Sequence, residues 1–97
     1  MSDIDTKKVT SIAVIGSGYW GKNLVRNFHQ LGVLKLICDK EETILNQFKK
    51  QYTDVETCLD LEDVVCHEDI KAVVVATPAE THFAVSHKAL SAGKHVF

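Results

Sequence analysis

Short apolar runs recur along the chain, separated by stretches whose apolar residues follow a helical period. Val9 to Ile15 is rich in β-branched residues, has strand length and ends at Gly16, which suits a strand buried on both faces of a parallel sheet. Beyond the glycines, Trp20, Leu24, Val25, Phe28 and Leu31 share one helical stripe, and Gly32 stands where a helix ends. Leu34 to Asp39 reads as a second strand, with Leu34, Leu36 and Cys38 on one face and Lys35, Ile37 and Asp39 on the other. Ile44, Leu45, Phe48 and Tyr52 then mark a second amphipathic helix.

A short edge strand is predicted around Asp54 to Glu56, followed by a helix over Leu59 to Cys66 with Thr57 as its N-cap and Leu61, Val64 and Val65 inward. Lys71 to Ala76 is another doubly buried strand, and Pro78 ends it by removing a backbone donor. Glu80 to Ala92 reads as a helix stopped by Gly93, and His95-Val96-Phe97 begins a further strand. Strands alternating with helices imply right-handed βαβ crossovers, hence an α/β fold with a doubly wound parallel sheet in the order 3-2-1-4-5. Residues 1–8 are expected to form a loose arm and residues 9–97 one domain, incomplete at its C-terminal end because the apolar run stops without a cap.

Composition narrows the function classes. With 97 residues, 45% hydrophobic and 25% charged, the chain has room for one core. A net charge of −2, with Lys and Arg scattered, gives no electrostatic footprint for nucleic acid or an anionic membrane. The apolar stretch after Lys7-Lys8 is too short and too interrupted for a signal peptide. Cys38, Cys58 and Cys66 are odd in number and lack CxxC spacing, as expected for small, buried, reduced side chains in a cytoplasmic protein. No metal site is expected, since His82 and His87 stand five apart and do not share a helix face. Cys66 beside His67 does not by adjacency make a nucleophilic pair. The acidic runs Asp60, Glu62, Asp63 and Glu68, Asp69 read as solvated faces.

Gly16-Ser17-Gly18-Tyr19-Trp20-Gly21 fits GxGxxG, a weak pattern alone but a stronger one between a buried strand and a periodic helix. There Gly16 permits the tight turn, Gly18 lets a phosphate approach the backbone, and Gly21 lets the helix lie close on the strand. Free amides around Gly18 to Trp20, aided by the helix dipole, would donate to a pyrophosphate. Trp20 belongs to the core stripe, whereas Tyr19 offers its backbone amide, with a ring contact also open. Asp39 follows the glycines by about 20 residues, where a ribose-binding acid is expected. Its carboxylate would repel a 2′-phosphate and so favours NAD over NADP, an effect that Lys40 blunts.

With IAVIGSGYWG, the Cys38-Asp39 pair, ATPAETH and AGKHVF in this order and at these separations, the whole chain resembles the N-terminal domain of the glucose-fructose oxidoreductase, inositol dehydrogenase and MocA family. The resemblance implies NAD(P)-dependent oxidation or reduction at the CH–OH carbon of a sugar, cyclitol or nucleotide-sugar. It also implies that Ala76, Thr77, Pro78 and His82 line the cofactor cleft toward the nicotinamide ribose. A His82 that shapes the pocket is favoured over a general acid or base. The stretch GSGYWGKNLVRNF looks similar to members acting on nucleotide-linked amino sugars or uronates.

Family members place a Glu-Lys-Pro segment, whose lysine polarises the substrate hydroxyl, after the strand that begins at His95, and Lys94 precedes that strand. The chain alone is therefore expected to hold cofactor without turning over substrate, so no catalytic residue is assigned. An uncovered apolar sheet edge leads to an expected homo-oligomer. Two readings compete: a non-catalytic nucleotide-sensing module, and a CoA-binding Rossmann domain that would not require Asp39.

Overall fold

The computed structural model describes residues 11–16 and 21–97. Five strands form one sheet: β1 (Ile12–Ile15), β2 (Leu34–Cys38), β3 (Glu56–Cys58), β4 (Ala72–Val75) and β5 (His95–Val96). The helices α1 (Gly21–Gln30), α2 (Glu42–Gln51), α3 (Leu61–Val65) and α4 (Ala79–Ser91) connect them in turn. Every pairing is parallel and the order is β3-β2-β1-β4-β5, the predicted doubly wound topology. The expected N-terminal arm at residues 1–8 lies outside the described residues.

Two clusters cover the sheet, one on each face. Val14, Leu34, Ile37 and Val74 pack with Val25 of α1 and Leu45 and Phe48 of α2. Ala13, Ile15, Leu36, Val73 and Val75 pack on the other face with Val64 and Val65 of α3 and Ala89 of α4. Burial on both faces explains the unbroken β-branched runs of β1 and β4.

The expected alternation in β2 fails at one place. Leu34 belongs to the α1/α2 face while Leu36 and Cys38 belong to the other. The cause is an irregularity in the β1–β2 ladder: Ile12 lies opposite Leu34 but Ala13 lies opposite Leu36, so Lys35 has no counterpart on β1. One extra residue reverses the side-chain alternation. Freed from the ladder, the Lys35 side chain meets Glu56 of β3 at 3.0 Å.

Several expected boundaries shift for local reasons. Asp39 and Ala76 fall just past their strands, although the Ala76 amide still donates to Ile15 at 2.8 Å. The third strand begins at Glu56 rather than Asp54, because Tyr52 and Val55 are buried and the Val55 amide closes a turn onto the Tyr52 carbonyl. Thr57 therefore sits within β3, and the N-cap of α3 is Asp60, whose side chain accepts from the Glu62 amide at 3.0 Å. Leu31 is exposed rather than on the core stripe, since the chain has left α1. Gly32, at φ +78°, takes the left-handed turn that lets the Val33 amide reach back to Phe28. The cysteines are not uniformly buried: Cys38 is, Cys58 is half-buried and Cys66 is exposed.

Ile37 has no exposed surface and faces both α1 and α2 through its cluster. Ile37→Ala is expected to cost about 2–5 kcal/mol in urea denaturation, and a loss under about 1 kcal/mol would contradict this account of the core.

The edge of the sheet carries its own pH dependence. Hydrogen bonding to Lys35 holds the Glu56 carboxyl below its ordinary value of 4.5, and the same bond lifts Lys35 above its ordinary 10.5. A lowered carboxyl contributes stability that is lost as pH falls through its folded value, and a raised lysine contributes stability that is lost as pH rises through its own. Asp54, held low by the His29 ring at 3.1 Å, adds to the acid limb. Urea midpoints are expected to decline below about pH 4.5 and above about pH 10.5, with both slopes reduced in Glu56→Gln. Identical limbs in the variant would contradict the assignment.

Candidate cofactor site

In a parallel sheet of this order the chain leaves β1 and β4 toward opposite faces, and a crevice opens at their carboxyl ends. Gly16 follows β1, Asp39 follows β2 and the Ala76-Thr77-Pro78 segment follows β4. All of them line one cleft of about 840 Å³. Residues separated by up to 62 positions in sequence thus meet because their strands are neighbours.

The turn after β1 is shaped by contact with β4. Gly16 has φ +81°, and a Cβ placed there would stand 2.8 Å from Thr77 Cγ2 and 3.0 Å from the Thr77 amide nitrogen. Its own amide donates to the Cys38 carbonyl at 2.8 Å. Glycine is required twice over, for the left-handed backbone and for the close approach. Beyond the turn, Gly21 is buried in the first turn of α1, in keeping with a helix lying close on the strand. Ser17, Gly18, Tyr19 and Trp20 lie outside the described residues.

Asp39 is oriented by its neighbours. Its Oδ1 accepts the Glu41 amide at 2.8 Å, and its own amide donates to the Cys58 carbonyl at 3.2 Å. The carboxylate is thereby fixed at the cleft wall beside exposed Lys40. Ile44 of α2 with Leu59 and Leu61 after β3 gives the same end of the cleft an apolar surface. None of these three stands out in the sequence as a site residue. The signal is available only after folding: Leu59 is 50% exposed, an uncovered apolar residue at the carboxyl end of a strand.

Across the cleft, Pro78 starts α4, and the Thr81 amide and hydroxyl both donate to its carbonyl, at 3.0 and 3.1 Å. The cleft wall from α4 is made by Thr81, Ala84 and Val85. His82 is exposed and is not among the lining residues, although its backbone amide ties to Pro78 at 3.0 Å. The TPxxxH segment therefore brings its Thr and Pro to the cleft, but not its histidine.

Two features fit a dinucleotide. Gly16 makes the tight turn, packed on Thr77 within the cleft, that a dinucleotide-binding fold places between its first strand and the phosphate-binding amides. The Thr77 hydroxyl is buried without a hydrogen-bond partner among the described residues, a condition costing about 1–3 kcal/mol that a ligand oxygen would relieve. Among the described residues no cluster of His, Cys, Asp or Glu is arranged to hold a metal ion, and no helix is long and apolar enough to cross a membrane.

The two contributions at Gly16 are separable. Gly93 shares the left-handed backbone at φ +84°, yet a Cβ there meets nothing within 4 Å. Gly93→Ala is expected to cost about 1–2 kcal/mol in thermal or urea unfolding, for backbone strain alone. Gly16→Ala should exceed it by about 1 kcal/mol or more, since the Thr77 backbone must move. Equal costs would show that the β1 turn is not packed against β4.

Comparison with known proteins agrees with this geometry. The family model described as "Oxidoreductase family, NAD-binding Rossmann fold" matches residues 10–97. Scyllo-inositol dehydrogenase from Lactobacillus casei, solved with NAD(H) and scyllo-inositol, superimposes with a TM-score of 0.82 at 33% identity, over 94% of this chain and 27% of that one. The WlbA dehydrogenase from Bordetella pertussis, solved with NADH and UDP-GlcNAcA, gives 0.81 at 26% identity, over 93% and 28%. In sequence, a 2,7-anhydro-N-acetylneuraminate hydratase of Mediterraneibacter gnavus is 32% identical over 93% of this chain and 24% of its own length. A glycosyl hydrolase family 109 protein of Shewanella putrefaciens is 32% identical over 92% and 22%. The chain thus spans about a quarter of the length of the relatives it matches. With a cleft built from Gly16, Asp39 and Thr77 and a family match over nearly all its residues, the chain belongs to the Gfo/Idh/MocA oxidoreductase family as its NAD-binding Rossmann domain.

Proposed function

We propose that the cleft binds NAD in preference to NADP and supplies the cofactor half of an oxidoreductase acting on a CH–OH carbon of a sugar, cyclitol or nucleotide-sugar. The observation that carries this reading is the convergence of Gly16, Asp39 and Thr77 on one cleft at the point where β1 and β4 diverge. Bound there, the nicotinamide supplies hydride transfer.

The chain's own residues bind and orient. Past the turn that Gly16 opens, the amides around Gly18 to Trp20 donate to the diphosphate, and the helix dipole favours its charge. Asp39 accepts the hydroxyls of the adenosine ribose; a carboxylate has lone pairs for several donors, so the bond from Glu41 is compatible with this. The same negative charge opposes a 2′-phosphate, and Lys40 softens the discrimination. Ile44, Leu59 and Leu61 offer an apolar surface suited to the adenine ring. Ala76, Thr77 and Pro78 form the opposite wall, toward the nicotinamide ribose.

The substrate reading draws support from two related structures, solved with scyllo-inositol and with UDP-GlcNAcA. Relatives of similar identity are named a hydratase and a glycosyl hydrolase, so this domain does not by itself set the net reaction. Free Cys38, Cys58 and Cys66 support a reducing, cytoplasmic setting. Exposed Phe83 and Leu90, two turns apart on α4, support self-association.

Calorimetric titration with NADH, NADPH and CoA tests the assignment. NADH is expected to bind most tightly, and Asp39→Ala to weaken it about tenfold or more, with NADPH affected less. Unchanged NADH affinity in the variant would refute the ribose role, and tight CoA binding indifferent to Asp39 would replace the nicotinamide reading with a CoA one.

A further inference from the structure

β2 and β3 set two cysteines directly against each other. In their parallel ladder Leu36 lies opposite Glu56, Ile37 opposite Thr57 and Cys38 opposite Cys58. Both cysteines belong to the same side of the sheet, Cys38 within the α3/α4 cluster and Cys58 packed against it. Adjacent strands lie about 4.8 Å apart, and a disulfide accommodates Cα separations of about 4.4–6.8 Å. The pair also sits under the cleft. Cys38 lines it and its carbonyl holds the Gly16 amide, while the Cys58 carbonyl holds the amide of Asp39.

We propose that Cys38 and Cys58 form a dithiol modification site beneath the cleft, joined reversibly into a disulfide by low-molecular-weight disulfides of the glutathione class.

The two thiols are unequal, which sets the order of events. Cys58 is half-buried, its Sγ lies 3.6 Å from the Asp60 carbonyl oxygen, and the hydrogen bond from Cys38 lowers its pKa. Cys38 keeps its proton more firmly, because that hydrogen bond, burial and the charges around it push it up. The Cys58 thiolate therefore attacks glutathione disulfide, forming a mixed disulfide and releasing one glutathione thiolate. Cys38 sulfur then displaces the second glutathione, its proton passing to a departing thiolate. Two protein S–H bonds are lost, one S–S bond forms, and glutathione disulfide is reduced to two glutathione thiols. Cys66 is exposed at the C-terminal end of α3, its thiol donating to the Glu62 carboxylate at 3.9 Å, and its oxidation would stop at a glutathione adduct.

The test equilibrates the chain in glutathione redox buffers, quenches with acid, alkylates the remaining thiols and maps the peptides. The expected product links Cys38 to Cys58 with loss of two hydrogens, reverts with dithiothreitol and forms equally in Cys66→Ser. Cys38→Ser should trap a glutathione adduct on Cys58. Alkylation of both Cys38 and Cys58 under conditions that modify Cys66 would overturn the proposal, as would an unmodified Cys58 in Cys38→Ser with native circular dichroism. The readout is the bond itself, so the result stands whether or not NADH binds the cleft.

Discussion

β1 is paired along both edges and covered on both faces, and that confinement governs what the chain does when it leaves the sheet. With β2 on one side, β4 on the other and a cluster of side chains above and below, Ile15 can pass only into a tight turn between its neighbours. Gly16 makes that turn against Thr77, and no side chain fits there. The glycine is thus a consequence of where β1 lies. The same confinement brings the ends of β2 and β4 alongside, so that one crevice receives Asp39 and the Ala76–Pro78 wall.

Much of this was legible in the sequence because parallel strands buried on both faces leave an unmistakable trace. Val73-Val74-Val75 and Ile12-Ala13-Val14-Ile15 admit few alternatives, and helical stripes between them fix the crossovers. What escaped was set by details that periodicity does not encode. The unpaired Lys35 reversed the alternation of β2, and no residue type announces such an irregularity. The third crossover shifted because burial of Tyr52 and Val55 took priority over the capping preference of Thr57, leaving Asp60 to cap α3. At the cleft, Gly16, Asp39 and Thr77 were legible because each belongs to a motif, and residues with only a location were not. Leu59 and Ile44 are ordinary apolar residues until folding leaves them facing the cleft. His82 shows the converse, a motif residue that the helix keeps out of the cleft wall.

The cleft is divided by chemistry. One end joins a fixed carboxylate to apolar walls, and the other joins the Gly16 turn to a Thr77 hydroxyl with no partner among the described residues. A molecule with an adenosine at one end and a charged linkage in the middle matches that sequence of surfaces. Membership of the family states what the domain holds, and the range of names among relatives shows why the reaction is a separate question.

The most direct measurement is a titration of isotopically labelled protein with NADH, followed by the amide resonances. The account predicts saturable shifts at Gly16, Asp39, Glu41 and Thr77, with the exposed residues His82 and His87 of α4 unchanged. Shifts confined to those exposed α4 positions, or none at the carboxyl ends of β1, β2 and β4, would contradict it.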